Sequence, residues 1–210
     1  MLCQDPLMSS INIARPFSPT IGGMILDEDH EEILISSFKY NYTSNSAKST
    51  TNNRILENYP ILKNLLLNKF YEFIKESNLN YDNKFIIATS WITKLEKNQR
   101  SQIHLHKNSF YSGVYYFEDE YDSNCGNLCL YNPLSQLSDF DLSPPRFNDF
   151  NCPSFEIYPS PRRLILFPSY IQHQIYQNIN NKTRHSLAFN IIPIGKYGSG
   201  DSSYDTKWVT

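Results

Sequence analysis

The apolar positions fall into two regimes that meet near residue 85. Before it, one stretch has helical periodicity. Leu62, Leu65, Leu66, Phe70, Phe73 and Ile74 recur at the spacing of a single helix face, with Lys63, Asn64, Asn68, Lys69, Glu72 and Lys75 on the other. Pro60 suits the first helical turn, where its missing N–H has no partner to lose. The pattern stops near Ser77 and Asn78, so it predicts a packing helix over roughly residues 60–77. Upstream, Ile11–Phe17 and Ile21–Leu26 read as short strands, Ile33–Phe38 as a further short element, and the Ser/Thr/Asn-rich stretch 41–53 as an exposed loop.

From Phe85 onward the period shortens. FIIATSWITKL (85–95), SGVYYF (112–117), NLCLYNP (127–133), FEIYP (155–159), RRLILFPS (162–169), HQIYQN (173–178) and RHSLAFNIIPI (184–194) are rich in β-branched and aromatic residues. Residues 118–127 are acidic and polar, and 134–153 carry Pro144, Pro145 and Pro153, so both read as loops, the longer one as a candidate lid. About eight short strands without strand–helix alternation predict an antiparallel sandwich, barrel or jelly roll, not a parallel α/β sheet. The expected organisation is one domain over 1–210: N-terminal strands and helix to 84, a β core over 85–194, and a tail over 195–210.

Composition narrows the function. A hydrophobic fraction of 40% and an aromatic fraction of 14% describe a folded chain. A net charge of −2 and no long basic run give no reason to expect nucleic acid. No apolar stretch has the length of a membrane span, and MLCQDPLMSS lacks the charged and apolar regions of a secretory signal, so a cytoplasmic location with Cys3, Cys125, Cys129 and Cys152 reduced is expected.

The chemistry sits in three places. In QIHLHKNSFYSGVYYF (102–117), His104 and His106 are two residues apart, so in an extended backbone both point one way and Leu105 the other. Paired imidazoles on one face are half of a site for a first-row metal. A third histidine, His173, follows an apolar strand and a Phe-Pro turn. Arg184 then opens an apolar strand, where it needs an acidic partner; a ligand carboxylate is the natural one if the chain supplies none. Ser186 shares its face. Alone, each feature has a simpler reading: surface histidines, a structural salt bridge.

Together, SW (90–91), IHLHKNSFYSGVYYF (103–117), LFPSYIQHQI (166–175) and RHSLAFN (184–190) resemble the 2-oxoglutarate/Fe(II)-dependent oxygenases, and more narrowly a 2OG-Fe(II) oxygenase family of bacteria and their phages. The resemblance implies a mostly β double-stranded β-helix (a cupin-like jelly roll) with an N-terminal helix. It implies Fe(II) as metal with 2-oxoglutarate and O2 as cosubstrates, held by His104, His106 and His173. His106 stands where the wider superfamily has Asp or Glu; Glu118, Asp119 or Glu120 would be the alternative carboxylate ligand. Arg184 and Ser186 would bind the distal carboxylate of 2-oxoglutarate with Tyr116, or with Tyr115 if the register differs by one. The implied function is hydroxylation of a small-molecule or peptidyl substrate. The alternatives are a three-histidine cupin enzyme that does not use 2-oxoglutarate and a non-catalytic jelly-roll binding protein. His185, on the opposite face from Arg184, and His30, in an acidic run, are expected to stand outside the site.

Overall fold

A computed structural model describes residues 18–42, 46–79, 81–134 and 152–206. The helical pattern folds as α1 (Pro60–Glu76), with Pro60 in its first turn. Its start carries no side-chain cap of its own. Glu31 serves instead: its two carboxylate oxygens accept the backbone N–H groups of Ile61 and Leu62, each at 2.8 Å. Those amides have no partner within the helix.

Twelve strands surround it among the described residues: β1 (Gly22–Ile25), β2 (Tyr40–Tyr42), β3 (Lys48–Thr50), β4 (Lys84–Leu95), β5 (Tyr111–Tyr115), β6 (Leu128–Tyr131), β7 (Ser154–Ile157), β8 (Arg163–Pro168), β9 (His173–Ile175), β10 (Arg184–Ile194), β11 (Lys196–Tyr197) and β12 (Tyr204–Asp205). A seven-stranded sheet runs β1-β8-β5-β10-β4-β3-β2, a three-stranded sheet runs β7-β6-β9, and β11 pairs β12. All of these strand pairings are antiparallel. The mostly β, helix-bearing architecture is the expected one.

The large sheet has two apolar faces. On the outer one, Phe70 and Phe73 of α1 pack on Tyr111 with ring centroids 5.4 and 5.6 Å away, among Phe85, Ile87, Leu187, Phe189 and Ile191. Gly113 lies beneath the Phe189 ring, which leaves no room for a Cβ. On the inner face, Ile165, Phe167 and Tyr116 meet Leu128 and Leu130 of the small sheet.

Three expectations change. Residues 41–53, expected as a loop, contain β3 and most of β2, an antiparallel pair of three-residue strands in which Asn41 and Tyr42 are exposed and only Thr50 is buried. Ile33–Phe38 forms a single 3-10 turn, Ile35–Ser37. Within β4, the register against β10 shifts at Asn190/Ile191 so that Ala88 is extra. This bulge reverses which side chains face inward: Phe85 and Ile87 face α1, and beyond Ala88 it is Trp91 and Thr93 that face the space between the sheets. Ile11–Phe17 and most of the expected 134–153 loop lie outside the described residues.

Candidate active site

A cavity of about 360 Å³ opens between the two sheets. It is lined by the three histidines, by Arg184, Ser186 and Ala188 of β10, by Trp91 and Thr93 of β4, and by Ser49 and Thr50 of β3.

His104 and His106 are not in a regular strand. His104 forms an isolated antiparallel bridge with His173 at the start of β9, giving N–H to its carbonyl at 2.9 Å and accepting one at 2.8 Å. His106 gives its backbone N–H to Ser169 at 3.1 Å. These bonds fix the histidine backbones against one another. The rings follow, with centroids 5.3 Å (104–106), 4.3 Å (104–173) and 4.9 Å (106–173) apart. One nitrogen from each lies within 4.8 Å of the others.

In each ring the other nitrogen is occupied. Nδ1 of His104 sits 2.8 Å from the Gln102 carbonyl, and Nδ1 of His173 sits 3.0 Å from that of Ile171. A carbonyl only accepts, so Nδ1 carries the proton in both and Nε2 keeps its lone pair. Nδ1 of His106 lies 2.8 Å from Asn190 Oδ1 and 3.0 Å from Ser112 Oγ. Burial pushes His106 down to about 4, opposed by the Asn190 bond, and pushes His173 down to about 3, aided by the neighbouring His104. Both are therefore neutral near pH 7. Three imidazoles whose Nδ1 atoms are already engaged fit a divalent first-row metal through Nε2.

No described carboxylate joins them. Glu118 faces the other side of β10, where it accepts from the backbone N–H and Nδ1 of His185 at 2.8 and 2.9 Å. Glu120 pairs with Lys182. His185 thus stands apart from the triad, as expected. His30 is not merely solvated: its Nε2 meets the Tyr115 hydroxyl on the outer side of the sheet. That places Tyr115 away from the cavity and Tyr116 in it.

Arg184 is 2% exposed, with no ion pair among the described residues. Nη1 donates to Ser186 Oγ at 2.8 Å and Nη2 to the Gly126 carbonyl at 2.9 Å. Gly126 has φ +98°, and a Cβ there would lie 2.8 Å from the Tyr176 carbonyl. The guanidinium carbon stands 5.3 Å from the Tyr116 ring centre. Arg184 Nε and the Tyr116 hydroxyl are buried without a hydrogen-bond partner among the described residues. A desolvated cation beside two unmet polar atoms fits an anion with several acceptor oxygens, such as a carboxylate.

Asn190 was not singled out in the sequence. The signal was present: positions 184, 186, 188 and 190 of one strand share a face, so an asparagine at 190 looks into the same cavity as Arg184 and Ser186.

Residues 89–190 match the family model described as "Putative 2OG-Fe(II) oxygenase". This stretch contains the three histidines, Tyr116, Arg184, Ser186 and Asn190, so the matched segment is similar to a 2OG-Fe(II) oxygenase domain. Among solved structures, it is similar to a 2OG-Fe(II) oxygenase family oxidoreductase from Burkholderia pseudomallei, at 14% identity and TM-score 0.51 over 74% of this chain and 72% of that one. It is also similar to HygX from Streptomyces hygroscopicus with nickel and 2-oxoglutarate bound, at 9% identity and TM-score 0.51 over 76% and 75%. A third is the non-heme alpha ketoglutarate dependent epimerase SnoN from nogalamycin biosynthesis, at 9% identity and TM-score 0.55 over 80% and 73%. At these identities the likeness establishes the fold, a double-stranded β-helix. No curated protein is significantly similar in sequence. Among the described residues, no helix is long and apolar enough to cross a membrane.

Proposed function

We propose that this protein is a hydroxylase that couples oxidative decarboxylation of 2-oxoglutarate to C–H hydroxylation, with His104, His106 and His173 holding Fe(II). Arg184, buried and without an ion pair among the described residues, carries the reading. A three-histidine cupin without 2-oxoglutarate has no use for a desolvated guanidinium facing the metal pocket, and neither has a non-catalytic jelly roll.

When bound, Fe(II) with 2-oxoglutarate and O2 supplies the oxidising chemistry. The protein's part is positioning. His104, His106 and His173 would hold the metal through their Nε2 atoms. Arg184 and Ser186 receive the distal carboxylate, and the Tyr116 hydroxyl gives it a further hydrogen bond. Leu128, Phe167, Val114 and Ile175 form a dry wall that keeps water from the cosubstrate. Trp91, whose ring lies 5.4 Å from that of His106, with Thr93 and Ser49, forms the opposite wall, where a small-molecule or peptidyl substrate would present its C–H bond. With no described carboxylate beside the three histidines, the positive charge of Arg184 would attract a dianionic cosubstrate.

The test is turnover with Fe(II), 2-oxoglutarate and 18O2. Succinate formed one-for-one with 2-oxoglutarate consumed, and one 18O in a hydroxylated product, is the expected result. Metal-bound protein that leaves 2-oxoglutarate intact would refute the class. Product lacking 18O would refute hydroxylation alone.

A further inference from the structure

The third histidine is held differently from the other two. His104 and His173 each lean on a backbone carbonyl two residues upstream. His106 leans on Asn190 Oδ1 at 2.8 Å, on a strand far away in sequence. The Asn190 amide is itself pinned. Its Nδ2 donates to Thr89 Oγ1 at 3.0 Å, and its Oδ1 accepts from Ser112 Oγ at 2.9 Å. Ser112 is in turn 2.8 Å from Ser169 Oγ, one side of a serine pair between β5 and the β8–β9 turn. With Nδ2 committed to Thr89, the atom facing His106 is an oxygen that carries no proton. The contact is a hydrogen bond only if His106 Nδ1 is protonated, which leaves Nε2 free towards His104 and His173.

We propose that Asn190 is a positioning residue that selects the metal-binding tautomer of His106, and that it does so with a neutral oxygen. The inference rests on His106 being a metal ligand. A carboxylate in the same place would draw the Nδ1 proton towards itself and make Nε2 a stronger donor. An amide orients the ring without adding charge. Among the described residues, the site thus lacks a carboxylate beside its three histidines and also behind the histidine that stands in the carboxylate's usual place. Losing such an outer hydrogen bond typically weakens metal binding about 10–100-fold.

The test uses the full chain under anaerobic conditions, with Co(II) affinity measured by calorimetry and the visible band measured with Fe(II) plus 2-oxoglutarate. Asn190→Leu, close in volume but with no acceptor, is expected to bind Co(II) about 10–100-fold more weakly than the unaltered protein. Asn190→Asp is expected to bind at least as tightly as the unaltered protein and to move the band to longer wavelength, because a more basic His106 raises electron density on the metal. A packing role alone would weaken both variants alike and leave the band in place, and that result would overturn the proposal, as would Asn190→Leu binding normally. Should Asn190→Leu fail to fold, the Asn190→Asp affinity and band position decide alone. His106→Ala separates the two levels. If His106→Ala binds Co(II) as well as the unaltered protein, the three-histidine reading fails, and this inference with it. If His106→Ala is weak and Asn190→Leu is normal, only the inference fails.

Discussion

Replacing Arg184 with methionine separates a ligand clamp from a structural ion pair by the size of its effect with and without ligand. Methionine keeps most of the apolar volume and removes the charge. If Arg184 held a buried ion pair, deleting one partner would cost about 3–5 kcal/mol. Here the guanidinium is buried, and among the described residues it has no counter-charge and its Nε no partner. Removing it relieves the cost of keeping a cation from water. It also orphans the Gly126 carbonyl, which accepts at 2.9 Å, at about 1–3 kcal/mol. The two effects oppose, so the metal-free protein should change by no more than about 1 kcal/mol. The cosubstrate response should collapse. Two charge-assisted hydrogen bonds at about 1.5–3 kcal/mol each put the loss of 2-oxoglutarate affinity at roughly 100-fold or more. The assay is urea unfolding of both proteins, with and without Mn(II) plus 2-oxoglutarate. At about 100 times its dissociation constant the ligand should stabilise the unaltered protein by about 2.7 kcal/mol. In a protein of this size that is roughly 5–10 °C in Tm. Arg184→Met should show almost none of this gain. A metal-free loss of 3 kcal/mol or more with an intact ligand response would refute the reasoning.

Three further outcomes follow from the same geometry. Because burial holds His106 near 4 and His173 near 3, the unfolded chain takes up protons below about 6.5 that the native chain does not. Metal-free stability should therefore be full above about pH 6.5 and fall as pH drops towards 4, an acid loss absent from the His106→Ala, His173→Ala double variant. Gly113→Ala would set a Cβ 2.1 Å from Phe189 Cζ; it should destabilise by about 1–3 kcal/mol in thermal unfolding, and no loss would mean the helix-side core is looser than described. Glu31→Ala removes both acceptors at the start of α1 and should cost about 1 kcal/mol in urea, with Glu31→Gln, which keeps one acceptor oxygen, losing less.

Much of this was legible in the chain because the physics was local. The α1 face, the Pro60 start and the long β10 run each depend on a periodicity that nothing overrides. Arg184 and Ser186 share a face by strand alternation, and the structure joins them by a hydrogen bond of 2.8 Å. The rest depends on partners remote in sequence. His104 and His106 share a face in an extended backbone, yet they lie outside any regular strand. A bridge to His173 and a bond to Ser169 bring them into position, and no window around residue 104 records either. The β2–β3 pair was hidden because strands of three residues are too short to show a periodicity and only Thr50 among them is buried. The Ala88 bulge was hidden because one extra residue inverts inside and outside without altering composition.

The most direct measurement of the central claim is an anaerobic titration of the metal-free protein with Fe(II) and then 2-oxoglutarate, followed through the weak visible charge-transfer band of a chelated keto acid. The account predicts a saturable band with one metal per chain, lost in His173→Ala and requiring far more 2-oxoglutarate in Arg184→Met. Metal binding with no band at any cosubstrate concentration would contradict the Arg184 clamp. No metal binding at all would contradict the three-histidine site itself.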